Sequence, residues 1–248
     1  MDKKRIKTEL MIHDLKNPLA VIEAGISSLI YRSGKYGPLT EDQIKVLNRT
    51  LRNTKIARGL VNDILEVGRS AEGIMNKERH LFHEFIRSPF VEVFDLTDHK
   101  TAEKIKECPS LTLMKEILSD NGILLDMDEE LWSQEIDLDE PKLRQIVRNL
   151  LSNALKYRKK IVKMEISKDN GALFLSVADD GQGIQKIYHE KIFECYFQLD
   201  EEREHCIRGH GLGLAGVLIL VEDMGGKVTL DSDTGRGAKF MVRIPLEG

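Results

Sequence analysis

A chain of 248 residues with 41% hydrophobic and 31% charged content is long enough to bury a sizeable core and too apolar to be disordered. A formal net charge of −4, with Lys and Arg scattered among acids, argues against nucleic acid as a partner and suits a protein or nucleotide ligand. Cys108, Cys195 and Cys206 lack C-x-x-C spacing, and no apolar run reaches the roughly 18 residues that span a bilayer, so a reducing compartment, most simply the cytoplasm, is expected, with any membrane anchor outside this chain.

The first element is a long helical pattern. At about 100° per residue, Met11, Leu15, Leu19, Ile22, Ile26 and Leu29 gather on one side, while His13 and Asn17 fall on the other, facing solvent or a visiting partner. Pro18 removes the N–H that would bond the Asp14 carbonyl, a defect of about 3 kcal/mol that predicts a kink beside His13. The run His13-Asp14-Leu15-Lys16-Asn17-Pro18 reads as a phospho-acceptor site; a plain surface histidine is the commoner meaning of such a residue alone.

Ser33 to Pro38 joins this helix to a second one, which opens on the capping box Thr40-Glu41-Asp42-Gln43 with Leu39 and Ile44 spaced as a hydrophobic staple. Its apolar positions Leu47, Leu51, Ala57, Val61 and Ile64 recur at close to seven residues. A lone hairpin would leave these seams exposed, so residues 1–75 are expected to form a four-helix bundle in a homodimer. Residues 76–91 show no clean period and are read as a connector. Residues 92–248 alternate element types: helix 111–118, strand 122–126, helix 141–158, strands 161–167 and 172–178 around Asn170-Gly171, helix 212–224, and strands 227–232 and 238–245. The fold class is therefore α+β, a helical hairpin followed by an α/β sandwich.

Three constellations in the second half carry chemistry. On the helix opened by Asp139 and Pro141, Asn149, Asn153 and Lys156 share one face, where amide oxygens suit Mg²⁺ and an ammonium suits phosphate. A solvated helix face is the competing account. Asp179-Asp180-Gly181-Gln182-Gly183-Ile184 follows a strand, so a carboxylate there can accept from an exocyclic amine such as that of adenine; an ordinary turn is the alternative. Gly209-His210-Gly211-Leu212-Gly213-Leu214 opens a helix, where bare N–H groups and the dipole can hold phosphate. It lacks the Lys-Ser/Thr of a P-loop and the strand and carboxylate context of a dinucleotide fold.

In this order, these segments closely resemble the boxes of two-component sensor histidine kinases, whose catalytic half belongs to the GHKL ATPase superfamily. The His13 run looks like the H-box, Asn149 to Tyr157 like the N-box, Asp180-Gly181-Gln182-Gly183 like the first glycine box, Ile192 to Phe197 like the F-box, and Gly209 to Leu214 like the second glycine box. The resemblance covers most of the chain. It implies a dimerising phospho-acceptor hairpin, an ATP-binding sandwich of the GHKL (Bergerat) type, the cofactors ATP and Mg²⁺, and a response regulator receiver domain as partner.

By the same resemblance His13 accepts the γ-phosphoryl group, Asp14 is its acid/base neighbour, and Asn17 orients water to dephosphorylate a partner's phospho-aspartate. Asn153 would hold Mg²⁺, Asn149 would assist at the metal and phosphate end, Lys156 would contact phosphate and Tyr157 would flank adenine. Asp180 would take the adenine amine, beside Gly181, Gly183 and Ile184. Gly209, His210, Gly211, Leu212 and Gly213 would lie along the phosphates, with residues 185–208 as a mobile lid. The stretch 73–89 is longer than the family's usual link.

Other residues take plainer readings. His83-Glu84 with Pro89 echoes an H-box, but the proline comes one residue late. His80 and His83, and His205, Cys206 and His210, lack the spacing of a zinc site. Phe193 and Phe197 read as packing residues on one helical face. A GHKL ATPase of another class, or a docking module without catalysis, are the rival functions; the His13 segment weighs against the first and Asn153, Asp180 and the Gly209 to Gly213 segment against the second.

Overall fold

The computed structural model describes residues 3–70, 76–95, 97–195, 197 and 212–246. They divide into two compact units, Met1–Gly68 and Arg69–Gly248.

The first unit is helical: α1 (Lys3–Tyr31), the single turn α2 (Ser33–Tyr36) and α3 (Glu41–Ser70). Pro18 lies inside α1, which continues through it. The capping box forms as expected, with the Thr40 N–H donating to Gln43 Oε1 at 2.8 Å and the Gln43 N–H donating to Thr40 Oγ1 at 3.2 Å. Ile26, Leu51 and Thr54 are buried, and Arg58 pairs with Glu23 at 2.7 Å. Much of the apolar surface stays outside: Leu15 is 50% exposed, Val21 72%, Ile22 46% and Val46 52%. One copy therefore leaves these apolar side chains uncovered.

The second unit begins with β1 (Glu78–Leu81) and α4 (Phe82–Asp95), followed by α5 (His99–Lys106), α6 (Leu111–Asp120), β2 (Ile123–Met127), the short α7 (Glu129–Trp132) and β3 (Glu135–Leu138). Then come α8 (Glu140–Tyr157), β4 (Val162–Asp169), β5 (Ala172–Asp179), α9 (Gly213–Asp223), β6 (Lys227–Ser232) and β7 (Ala238–Pro245). From residue 111 on, every element expected from sequence forms within two residues of its expected bounds. The five-stranded sheet has the order β2-β4-β5-β7-β6, with β2 parallel to β4 and the other pairs antiparallel. Asn170 and Gly171, both at positive φ, turn β4 into β5.

Period-two alternation sets the two faces of the sheet. Leu173, Leu175 and Val177 of β5 and Phe240, Val242 and Ile244 of β7 are buried in the core, whereas Phe174 and Leu124 are exposed on the other face. Helix α8 supplies Leu143, Ile146, Val147, Leu150, Leu151 and Ala154 to the same core. Asp139 caps it, accepting from the Lys142 N–H at 3.2 Å, and Pro141 occupies its first turn.

The connector expected over 76–91 is not one. Its residues form β1, which pairs antiparallel with β3, and most of α4. Phe82, Phe85, Ile86, Phe90, Val93 and Phe94 recur at helical spacing and are buried. Truncating a buried aromatic of this kind costs about 3–5 kcal/mol, so the segment is core and the second unit begins before residue 92. Pro89 masks the period in the sequence. His83, read as a connector histidine, stacks on Trp132 with ring centroids 5.2 Å apart.

Candidate active site

The polar face of α8 is turned inward more than a solvated stripe would be. Asn149 is buried, its Nδ2 donating to the Gly213 carbonyl at 3.2 Å, while Arg148 Nη2 donates to its Oδ1 at 3.4 Å. One turn on, Asn153 is half-buried. Lys156 Nζ donates to the Tyr157 hydroxyl at 3.0 Å and sits 4.7 Å from its ring centroid, so the cation and the half-exposed ring stand together at the end of the helix. Helix α8 packs on both β5 and α9.

At the end of β5 the two consecutive aspartates have different work. The Asp180 carboxylate accepts the backbone N–H groups of Lys159, Lys160 and Ile161 at 2.8 to 3.1 Å, and the Lys160 N–H leads the hydrogen bonds that hold its carboxyl below the ordinary range. Asp180 is thus the clasp of the 158–161 turn. The carboxylate expected to take the adenine amine is already engaged by backbone N–H groups. Asp179 falls on the core face with Leu173, Leu175 and Val177. Burial pushes its carboxyl up, opposed by the N–H groups of Gly181, at 2.8 Å, and Ala238. A desolvated carboxylate on the helix-covered face is the better acceptor for a ligand amine.

The glycines make the approach possible. Gly183 and Gly237 both have positive φ, and a Cβ at either would run into backbone, that of Asp233 and of Asp179 respectively. The 233–237 turn and the 179–183 loop therefore close on one another. Ser232 ties them, its Oγ accepting from the Ile184 N–H at 2.8 Å and donating to the Gly237 carbonyl at 2.7 Å. A cavity of about 340 Å³ at this strand end is lined by Asp179, Lys186, Asp233 and Arg236 among others. It touches no residue of α8 and carries both signs of charge, so it borders the site without being the site.

Beyond Gln185 come two 3₁₀ turns, Lys186–Tyr188 and Lys191–Phe193. Phe193 and Phe197 pack against the core, as expected, but the turn ends at Phe193, so no shared helical face carries them. Gly209, His210 and Gly211 lie outside the described residues. Leu212 and Gly213 open α9, whose N-terminus meets Asn149. In the first unit His13 and Asp14 are in α1 with side chains outside the description, and Asn17 is exposed. The sequence does not single out Ser232 or Gly237, and names Asp179 only as the first residue of the Asp179 to Ile184 run. The period of β5 was the available signal for Asp179.

The two aspartates separate in a test. Asp180→Ala is expected to free the 159–161 N–H groups and weaken nucleotide binding about tenfold through the loosened end of α8. Because the folded carboxyl sits below the unfolded value near 3.8, its stabilisation is complete above that pH and is lost as pH falls through the lower folded value. Acid unfolding of Asp180→Ala should accordingly show a shallower pH dependence below about pH 4.

The family model described as the histidine kinase-, DNA gyrase B- and HSP90-like ATPase matches residues 138–248, and the His Kinase A (phospho-acceptor) domain matches residues 10–73. The sensor histidine kinase YkoH of Bacillus subtilis is 30% identical over 244 residues, 98% of this chain and 48% of the relative. WalK of the same organism is 26% identical over 95% of this chain and 35% of its own length. Full-length ShkA, solved in complex with AMPPNP, superposes with a TM-score of 0.63 at 26% identity, over 96% of this chain and 45% of that one. The chain thus spans about half the length of these relatives or less. With both matches in order on one chain and sensor histidine kinases among the relatives, the chain carries a His Kinase A phospho-acceptor domain followed by a histidine kinase-like ATPase domain.

Proposed function

We propose that this chain is the kinase core of a sensor histidine kinase, transferring the γ-phosphoryl group of ATP to His13 and from there to an aspartate of a response regulator receiver domain. The observation that carries the reading is the division of labour at the end of β5: Asp180 clasps backbone while Asp179 keeps a desolvated carboxylate on the face that α8 covers. Asp179 takes the adenine amine in place of Asp180, with Gly181 and Gly183 allowing close approach and Tyr157 flanking the base. Asn149, Lys156 and the segment from Gly209 to Gly213 serve the phosphates.

Among the described residues no three His, Cys, Asp or Glu side chains stand together as a metal site. The amide oxygen of Asn153 is a hard donor that fits Mg²⁺ shared with phosphate oxygens, and the ion would neutralise developing charge on the phosphates. In the transfer step an N–P bond forms at the His13 imidazole, the bond from the γ-phosphorus to the bridging oxygen breaks, and ADP leaves. Asp14 takes the imidazole proton. Alignment and charge neutralisation are the protein's main contribution. Asn17, one turn past His13, serves the reverse task of orienting water on a phospho-aspartate. The free thiols of Cys108 and Cys195 suit a reducing cytoplasm, and no described helix is long and apolar enough to cross a membrane.

The exposed Leu15, Ile22 and Val46 are covered by a second copy of the hairpin. Ile22→Glu is expected to raise the dimer dissociation constant at least about a hundredfold, by placing a charge in that seam, which sedimentation velocity would read directly. A monodisperse dimer at low micromolar concentration would contradict the placement of the interface. The test of function is incubation with γ-³²P-ATP and Mg²⁺, followed by acid and alkali. Acid-labile, alkali-stable label is the expected result. Tight ATP binding without label would overturn kinase activity in favour of an ATPase, and absence of binding would leave a docking module.

A further inference from the structure

Lys142 is the most deeply buried cation described, 2% exposed, and the site above makes no use of it. It lies in the first turn of α8, ion-paired with Asp223 at the last residue of α9, with Asp139 Oδ2 3.6 Å from its Nζ. Asp139 is itself buried and already caps α8; its Oδ2 also accepts the Asn76 N–H at 3.0 Å. One ammonium and two carboxylates are thus held out of water where α8 begins and α9 ends.

Such a cluster is a poor way to gain stability, since desolvating the charges cancels much of their attraction and apolar side chains of equal volume do as well. It does fix geometry, because each group has one place where its charge is met. Helix α9 ends in Glu222 and Asp223 and has no basic residue in its last turn, so its own sequence offers nothing to the negative end of its dipole. Lys142 supplies that cation from α8. Seven residues along α8, on the same face, Asn149 bonds the carbonyl of Gly213, the first residue of α9. Polar pins therefore hold α9 to α8 at both ends, with Ala215, Val217, Leu220 and Val221 buried between them. The near pin is made by a residue that ATP binding recruits; the far pin is not.

We propose that Lys142, Asp139 and Asp223 are positioning residues for the phosphates of ATP. Their clamp keeps α9 in register on α8 while Asn149 turns from Gly213 to its ligand, and so places the glycine segment that opens α9. The inference rests on the ATP reading given above. It makes a distinction that a merely structural role does not: the clamp acts on the phosphate end, through α9, and leaves the adenine end at Asp179 alone.

The test compares ATP and AMP binding to the full chain, at a temperature where each variant is folded by circular dichroism. Lys142→Met is expected to raise the dissociation constant for Mg-ATP about tenfold while that for AMP moves less than about twofold. In labelling assays KM for ATP should rise by the same factor with kcat at saturation close to wild type. If Lys142→Met does not fold, Asp223→Asn, which keeps the shape and removes the charge, carries the comparison, with the same direction expected. A folded variant that binds both nucleotides as wild type does, or loses both equally, would overturn the clamp. A wild-type chain that binds no ATP would remove the functional reading, and the clamp with it.

Discussion

Asp179→Asn is expected to weaken ATP binding by about a hundredfold or more while leaving the fold at least as stable as wild type. The two halves of this expectation have one cause. Burial disfavours the ionised carboxylate, so the folded protein carries a cost at neutral pH that the unfolded chain does not. The cost is absent below the unfolded value near 3.8, where both states are protonated, and grows as pH rises through the elevated folded value. An amide of the same shape removes the cost and still accepts the Gly181 N–H. It offers a poorer acceptor to an exocyclic amine, and its own NH₂ group opposes that donor in one of its two orientations. Titration calorimetry and thermal melts on the same preparation check the pair. A lower melting temperature with binding intact would reverse the roles assigned to Asp179 and Asp180. A destabilised fold with binding lost would mean only a structural residue.

His13→Gln is expected to abolish phosphoprotein formation with the dissociation constant for ATP unchanged within about twofold, since His13 and the residues proposed for the nucleotide belong to separate units of the chain. Glutamine retains a hydrogen-bonding end but has no nucleophilic nitrogen, so no N–P bond can form. Asp14→Asn, which keeps the size of the neighbour and removes its basicity, should slow labelling by about 10²- to 10⁴-fold, the usual worth of positioned proton transfer. Time courses of label incorporation, with binding measured in parallel, separate the two variants. Residual label on His13→Gln comparable to wild type would move the acceptor elsewhere, and His83, stacked against Trp132, would be the first place to look.

Most elements of the second unit were readable because each is a local rule obeyed without exception. Asp139 before Pro141 starts α8, Asn170-Gly171 turns β4 into β5, and regular alternation marks β7. The failures lie where a local signal points away from the tertiary outcome. Pro89 inside α4 and a short β1 with four exposed residues disguised a segment whose phenylalanines are among the most buried in the chain. Only the pairing of β1 with β3, 58 residues on, explains why that segment begins where it does, and no local pattern carries such a contact.

The site divides the same way. Residue types at Asn149, Asn153 and Lys156 suffice to name a polar helix face, but that Asn149 is buried against Gly213 is a tertiary fact. For the aspartate pair the parity of β5 places Asp179, and not Asp180, on the face of Leu173, Leu175 and Val177. The glycine spacing drew attention to Asp180 instead, whose partners, the N–H groups of 159–161, come from another loop. The buried Lys142 reads as an ordinary first-turn helix residue until α9 is laid beside it.

The central claim is that ATP held between α8, the end of β5 and the start of α9 phosphorylates His13. It is tested most directly by incubating the chain with Mg-ATP, digesting it at alkaline pH, where phosphohistidine survives, and mapping the phosphate by mass spectrometry. The account predicts one phosphorylated peptide, the one carrying His13, and none from the Asp179→Asn chain. Phosphate on any other residue, or a wild-type chain that consumes ATP and remains unmodified, would contradict it.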